Sequence, residues 1–166
     1  KVGPEEMTKW FDTNYHYLVP EIGPDTPLRF ADDAVTRKFV QARQWGYVTR
    51  PVLVGPLTYL ALAKADPATP DFDPLSRLDE AVAAYEQALA SLHEAGAPWV
   101  QLDEPALTSD NLSHPRAELA ELAVGVYERL AKATNRPQIL VTTPYGDASQ
   151  AVGALAKTGV EAIHVD

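Results

Sequence analysis

"PWVQLDEPAL", Pro98 to Leu107, is the stretch on which the architecture turns. Trp99 to Asp103 reads as a strand, and Pro105 breaks it because proline has no N–H for a ladder. Just upstream, "RPVLVG", Arg50 to Gly55, is a short β-branched run without polar interruption. Such a run reads as a strand buried on both faces. "PQILVTTP", Pro137 to Pro144, is a third, and "VEAIHVD", Val160 to Asp166, a last one that ends the chain.

Helical patterns lie between these runs. Asp32 to Trp45 carries Val35, Phe39, Val40 and Ala42 on one stripe, with Gly46 as a stop. Gly55-Pro56 opens "PLTYLALAKA", with proline at the first helical position. Asp73-Pro74 caps a helix in which Leu75, Leu78, Val82, Tyr85, Leu89 and Leu92 recur at steps of three and four. Pro115 begins another, with Leu119, Leu122, Ala123, Val126 and Leu130 on one face. "DASQAVGALAKTG" is a short helix closed by Gly159.

Alternation of apolar strands with helices predicts an α/β fold: a parallel sheet with helices outside it. Polar residues gather where strands end: Asp103 and Glu104, Thr142 and Thr143, His164 and Asp166. That is the end where (β/α) barrels and open α/β sheets build sites. The strands number about five if Met7–Glu21 supplies one, whereas a (β/α)8 TIM barrel needs eight. The expected fold is therefore an incomplete part of such a barrel, with a five-stranded open sheet as the other architecture the count allows.

Composition narrows the function. The 166 residues carry a formal net charge of -9, which disfavours nonspecific nucleic-acid binding and an anionic membrane surface. No apolar run reaches membrane-spanning length, and no signal-peptide pattern opens the chain. A cytoplasmic location is expected. The chain has no cysteine, so it holds no disulfide, thiolate metal ligand or cysteine nucleophile.

Asp103-Glu104 invites a glycosidase reading, with two carboxylates as acid and base. Adjacent strand residues point to opposite faces, so a second carboxylate such as Asp12 or Asp166 would be needed. The plainer reading is a hydrogen-bonded carboxylate in the barrel rim. His164 and Asp166 share a face, but a zinc site needs three or four ligands. His93, late in a helix, and His114, before a proline, read as structural or solvated. Gly55-Pro56 at a helix start is a possible anion cradle, weakened by the missing proline donor.

"MTKWFDTNYHYLVPE", Met7 to Glu21, has no helical or strand period. Lys9 is a point charge able to hold a carboxylate. Trp10, Tyr15 and Tyr17 offer flat apolar area, and Asn14 and His16 can donate or accept hydrogen bonds. A ligand with an aromatic ring and carboxylates suits this mixture; packing beneath a barrel mouth is the bland alternative.

The same stretch closely resembles a signature of the cobalamin-independent methionine synthases, in their amino-terminal barrel. "RPVLVGPLTYLALAK", "WVQLDEPAL" and "AIHVD" are similar to successive landmarks of that domain, in the same order. The resemblance implies that residues 1–166 are part of the amino-terminal (β/α) barrel, with the carboxyl-terminal catalytic barrel and its zinc outside the chain. It implies a parent methyltransferase that moves a methyl group from 5-methyltetrahydrofolate polyglutamate to homocysteine, forming methionine. The amino-terminal barrel is expected to brace the catalytic one and to contribute to folate binding, and the isolated chain to be inactive. Lys9 matches the family's lysine that contacts the folate polyglutamate, and Asn14 falls in the same motif. A carboxylate-dependent hydrolase and a non-catalytic structural or binding domain are the rival readings. One departure stands out: the family's Thr-Thr-Tyr-Phe-Gly is "TTPYG" here, with Pro144 in the run.

Overall fold

The computed structural model describes residues 5–166. A short antiparallel hairpin comes first, β1 (Met7–Lys9) and β2 (His16–Leu18), with Lys9 opposite His16. Then follow β3 (Glu21–Ile22), α1 (Ala34–Gln44), β4 (Val52–Val54), α2 (Pro56–Ala61) and β5 (Lys64–Ala65). A 3-10 turn (Pro74–Arg77) leads into α3 (Leu78–Glu94), then β6 (Trp99–Asp103) and a second 3-10 turn (Pro105–Thr108). The chain closes with α4 (Arg116–Lys132), β7 (Gln138–Thr143), α5 (Ser149–Leu155) and β8 (Ala162–Val165).

The four principal strands form one parallel sheet in the order β4-β6-β7-β8. This is the α/β partial barrel that the alternation implied. Met7–Glu21 supplies no member of that sheet. It turns back on itself as the hairpin, and β3 pairs in parallel with β5 instead. A local turn explains the hairpin: Trp10 N–H donates to the Tyr15 carbonyl, and the Thr13 hydroxyl donates to the Trp10 carbonyl.

The sheet's two faces differ. Val100, Leu102, Ile139 and Val141 are fully buried beneath the helices with Leu89, Leu92, Leu119 and Leu130. Period-two alternation turns Val52 and Val54 the other way, and they are 49% and 36% exposed. "RPVLVG" is thus covered on one face only within this chain, because the elements that would close a barrel over the second face are not among the described residues.

Asp73 does cap, its carboxylate accepting from Leu75 N–H at 2.9 Å, but what it caps is the 3-10 turn; α3 itself begins at Leu78 after Arg77, without a side-chain cap. Arg136 ties the opposite end of the fold. It donates to the Ala131 and Pro137 carbonyls and pairs with Glu161, which also accepts from Ile139 N–H at 2.7 Å. The end of α4, the start of β7 and the approach to β8 are thereby joined at the amino end of the sheet.

Candidate functional site at the carboxyl end of the sheet

Strand β6 delivers two carboxylates in succession, and the pleat separates them. Asp103 faces away from the helices. One of its oxygens accepts from Gln101 Nε2 at 2.7 Å and from the Thr142 hydroxyl on β7. Glu104 turns under the helices and is fully buried.

Glu104 fills the anion cradle suspected at Gly55-Pro56. Pro56 takes the helix position where a missing donor costs nothing, and the next two amides point at the carboxylate. Leu57 N–H lies 3.2 Å from Oε1 and Thr58 N–H 2.8 Å from Oε2. The Thr58 hydroxyl donates to Oε2 at 2.6 Å, and Tyr127 Oη donates to Oε1 at 2.7 Å. Gly55 is required by this contact, since a Cβ there would sit 2.1 Å from the Glu104 carboxyl carbon. Burial pushes the Glu104 carboxyl above the usual carboxylate range, against the opposing pull of Thr58, Tyr127 and the two amides. The Tyr127 hydroxyl is pushed up as well, by burial and by the neighbouring Glu104 charge.

This geometry settles the role of the Asp-Glu pair. Glu104 is sealed from any substrate and its four hydrogen bonds come from the protein, so it cannot serve as one of two carboxylates flanking a glycosidic bond. It is a structural carboxylate, as the rim reading expected. Sequence reasoning missed its partners. A tyrosine beside Val126 on an apolar helix face was the available signal, because a buried phenol needs an acceptor.

The open space lies above this layer. A cavity of about 640 Å³ is bounded by Thr8, Lys9, Phe11, Asp12 and Tyr17 of the hairpin region. Its other walls are the Thr108–Leu112 segment, Arg116, and Tyr145–Asp147 after β7. Lys9 thus stands on the cavity wall, whereas Asn14 sits exposed in the hairpin turn, away from the lining. Arg116 is engaged by Asp110 at 2.6 Å and by the Asp147 carbonyl. Asp147 is held below the usual carboxylate range by the Ser149 backbone N–H and hydroxyl. Three carboxylates, Asp12, Asp110 and Asp147, face two cations around this space.

Aromatic rings line the hairpin side. Trp10 meets Phe11 and Tyr17 edge to face at 5.1 and 5.7 Å. Phe11 stacks on Tyr145 across the cavity wall at 5.9 Å and 30°. Both partners of that stack have left-handed backbone, φ 48° at Phe11 and 75° at Tyr145. Such a conformation costs a bulky residue about 1–2 kcal/mol, and an aromatic pair returns about 0.5–1.5 kcal/mol beyond its burial. The Pro144 loop is firmly seated: its carbonyl accepts from the Thr108 hydroxyl at 2.6 Å, and Tyr145 N–H donates to Asp166 at 3.1 Å. Thr143 still ends β7 in extended conformation, as a residue before proline should.

The zinc implied by the resemblance does not fit these residues. Among the described residues no three histidine, aspartate or glutamate side chains are grouped to hold a metal ion. His114 lies between Asp73 and Glu118, and His93 closes α3. No helix of the described residues is long and apolar enough to cross a membrane.

Known proteins bear on these observations. The family described as "Cobalamin-independent synthase, N-terminal domain" matches residues 1–166. The 5-methyltetrahydropteroyltriglutamate–homocysteine methyltransferase of Streptomyces griseus is 49% identical over 99% of the chain. Its namesake from Mycobacterium tuberculosis is 48% identical over the whole chain. The chain spans 21% of the length of each. Among solved structures, a methyltransferase from Methanosarcina mazei superposes with a TM-score of 0.67 at 15% identity, over 96% of this chain and 52% of that one. A putative vitamin-B12 independent methionine synthase from Listeria monocytogenes gives 0.63 at 18% identity, over 85% and 46%. These two likenesses speak for the fold alone; with the sequence matches beside them, the chain belongs to the cobalamin-independent methionine synthase family, within its amino-terminal domain.

Proposed function

We propose that this chain is part of the amino-terminal barrel of a methyltransferase that moves a methyl group from 5-methyltetrahydrofolate polyglutamate to homocysteine, yielding methionine. In this reading the chain braces a second, catalytic barrel and supplies one wall of the folate site. The observation that carries it is Lys9 on the wall of an aromatic-lined cavity, in a chain nearly half identical to methyltransferases of that name.

The chemistry follows from the cavity. A glutamate tail is a run of carboxylates, and an ammonium on a flexible stem holds one without demanding a fixed fork geometry. Arg116 is already engaged by Asp110, and the surrounding carboxylates repel an anionic tail. Lys9 is therefore the main attraction this chain offers the tail, and further cations have to come from outside it. Zinc supplies thiolate activation when bound, and its ligands belong to the catalytic barrel rather than to residues described here. Asn14, from the same motif, is exposed in the turn and does not line this cavity.

Steady-state kinetics of the full-length enzyme carrying Lys9→Ala test this. Loss of a charge-assisted contact of about 1.5–3 kcal/mol should raise KM for the triglutamate substrate roughly ten- to a hundredfold. KM for the monoglutamate should change much less. Equal changes for both substrates, or none, would remove the tail contact and favour a purely structural domain.

A further inference from the structure

Among the described residues, Phe11 and Tyr145 are the two non-glycine positions with left-handed backbone. They belong to segments far apart in the chain, yet their rings meet, and both line the same cavity as Lys9. The strain at the two positions exceeds what stacking one ring on the other returns. Strain of this kind persists where the surrounding structure over-determines a position, and it concentrates at ligand clamps and active sites. Here the over-determination is visible. The Phe11 turn is closed by the bonds of Trp10 with Thr13 and Tyr15. The Tyr145 loop is held by Thr108 and Asp166, and a Cβ at Gly146 would come within 2.9 Å of the Thr108 carbonyl. Tyr145 is nevertheless 46% exposed. The fold thus holds aromatic surface in place without burying it.

We propose that Phe11 and Tyr145 form an aromatic clamp for a planar conjugated ring carrying an acidic tail, the ring against the pair and the tail carboxylates toward Lys9. In the folate reading, on which this rests, the ring is the benzoyl group that joins the pterin to the glutamates. The cavity volume of about 640 Å³ lies in the range of clefts that hold such ligands. Clamp and cation then read different parts of one substrate.

The test uses the full-length enzyme. Tyr145→Gly and Phe11→Gly remove each ring at a position whose backbone glycine adopts freely. Each should raise the folate KM five- to twentyfold, by the same factor for mono- and triglutamate substrates, and leave the homocysteine KM unchanged. Tyr145→Phe, which restores the flat face, should recover most of the loss. Wild-type enzyme gives a measurement free of variants: saturating the Phe11 and Tyr145 ring protons should transfer to the benzoyl protons of p-aminobenzoyl triglutamate. An unchanged folate KM in folded glycine variants, an effect confined to the triglutamate, or absent transfer would each overturn the clamp. If Lys9→Ala still discriminates by tail length in that case, the folate reading stands and only the clamp falls. If Lys9→Ala shows no discrimination while both rings matter, the tail contact fails and the clamp remains.

Discussion

Glu104 and Glu161 bracket the parallel sheet at its two ends, and the protein treats the same carboxyl group in opposite ways. At the carboxyl end, Glu104 is fully buried and meets only neutral donors, two amides and two hydroxyls. At the amino end, Glu161 is partly open to solvent and faces the Arg136 guanidinium through a bidentate pair at 2.9 Å. Burial dominates at Glu104 and pushes its carboxyl up. At Glu161 burial also raises, but the Arg136 hydrogen bond, the Ile139 N–H and the Arg136 charge together outweigh it and hold the carboxyl low. In barrel folds the carboxyl end carries chemistry and the amino end carries stability. Here the carboxyl end is built in layers: Glu104 locks α2 to β6, and the cavity with Lys9 on its wall lies beyond it.

The comparison is tested hardest by removing the buried group. Glu104→Ala strands four buried donors without an acceptor, and the expected cost is about 3–5 kcal/mol. The readout is thermal unfolding of the full-length protein, together with hydrogen exchange at the Leu57 and Thr58 amides. A loss under about 1 kcal/mol would show that the cradle is tolerant of an empty carboxylate position, contrary to its burial.

Arg136→Ala should cost less, about 2 kcal/mol, because Glu161 then turns to water instead of remaining desolvated. Its exchange signature should appear at the start of β7 and leave α2 untouched. A loss larger than that of Glu104→Ala would reverse the ranking of the two ends.

The smallest effect is in pH dependence, and its sign separates the two sites. Glu161 titrates low in the fold, so its contribution is present above the ordinary glutamate range and disappears as pH falls through its folded value. Glu104 titrates high, so its contribution is present below that range and is lost as pH rises toward its folded value. Denaturation midpoints across roughly pH 3 to 9 should therefore lose part of their acid slope in Arg136→Ala. In Glu104→Gln they should lose part of their decline on the alkaline side. Identical profiles for both variants and the parent protein would contradict the opposite shifts.

Part of this was legible in residue order. The parallel sheet followed from strands and helices in alternation, whereas none of the polar residues at the strand ends lines the cavity that holds Lys9. The opposite facing of Asp103 and Glu104 followed from the pleat. The capping by Asp73 was readable because a cap is a contact between neighbours in the chain. Met7–Glu21 was not legible in shape, since its aromatic and polar mixture masks the short register of Lys9 with His16.

Other features depend on residues remote in the chain and leave no local trace. The cradle at Gly55-Pro56 could be suspected from its two residues, but its occupant could not. Glu104 and Tyr127 arrive from other elements, and they meet there because β6 lies beside β4 while α4 packs on the same layer. The exposure of Val52 and Val54 depends on which elements cover each face of the sheet. The stack of Phe11 on Tyr145 depends on where a hairpin and a loop come to rest together. Periodicity, caps and turn chemistry act over a few residues, so the order and kind of the four sheet strands and the helices between them were readable in the sequence. Which carboxylate is sealed, which face stays open and which rings meet required the packed chain, because burial is a property of all the neighbours at once.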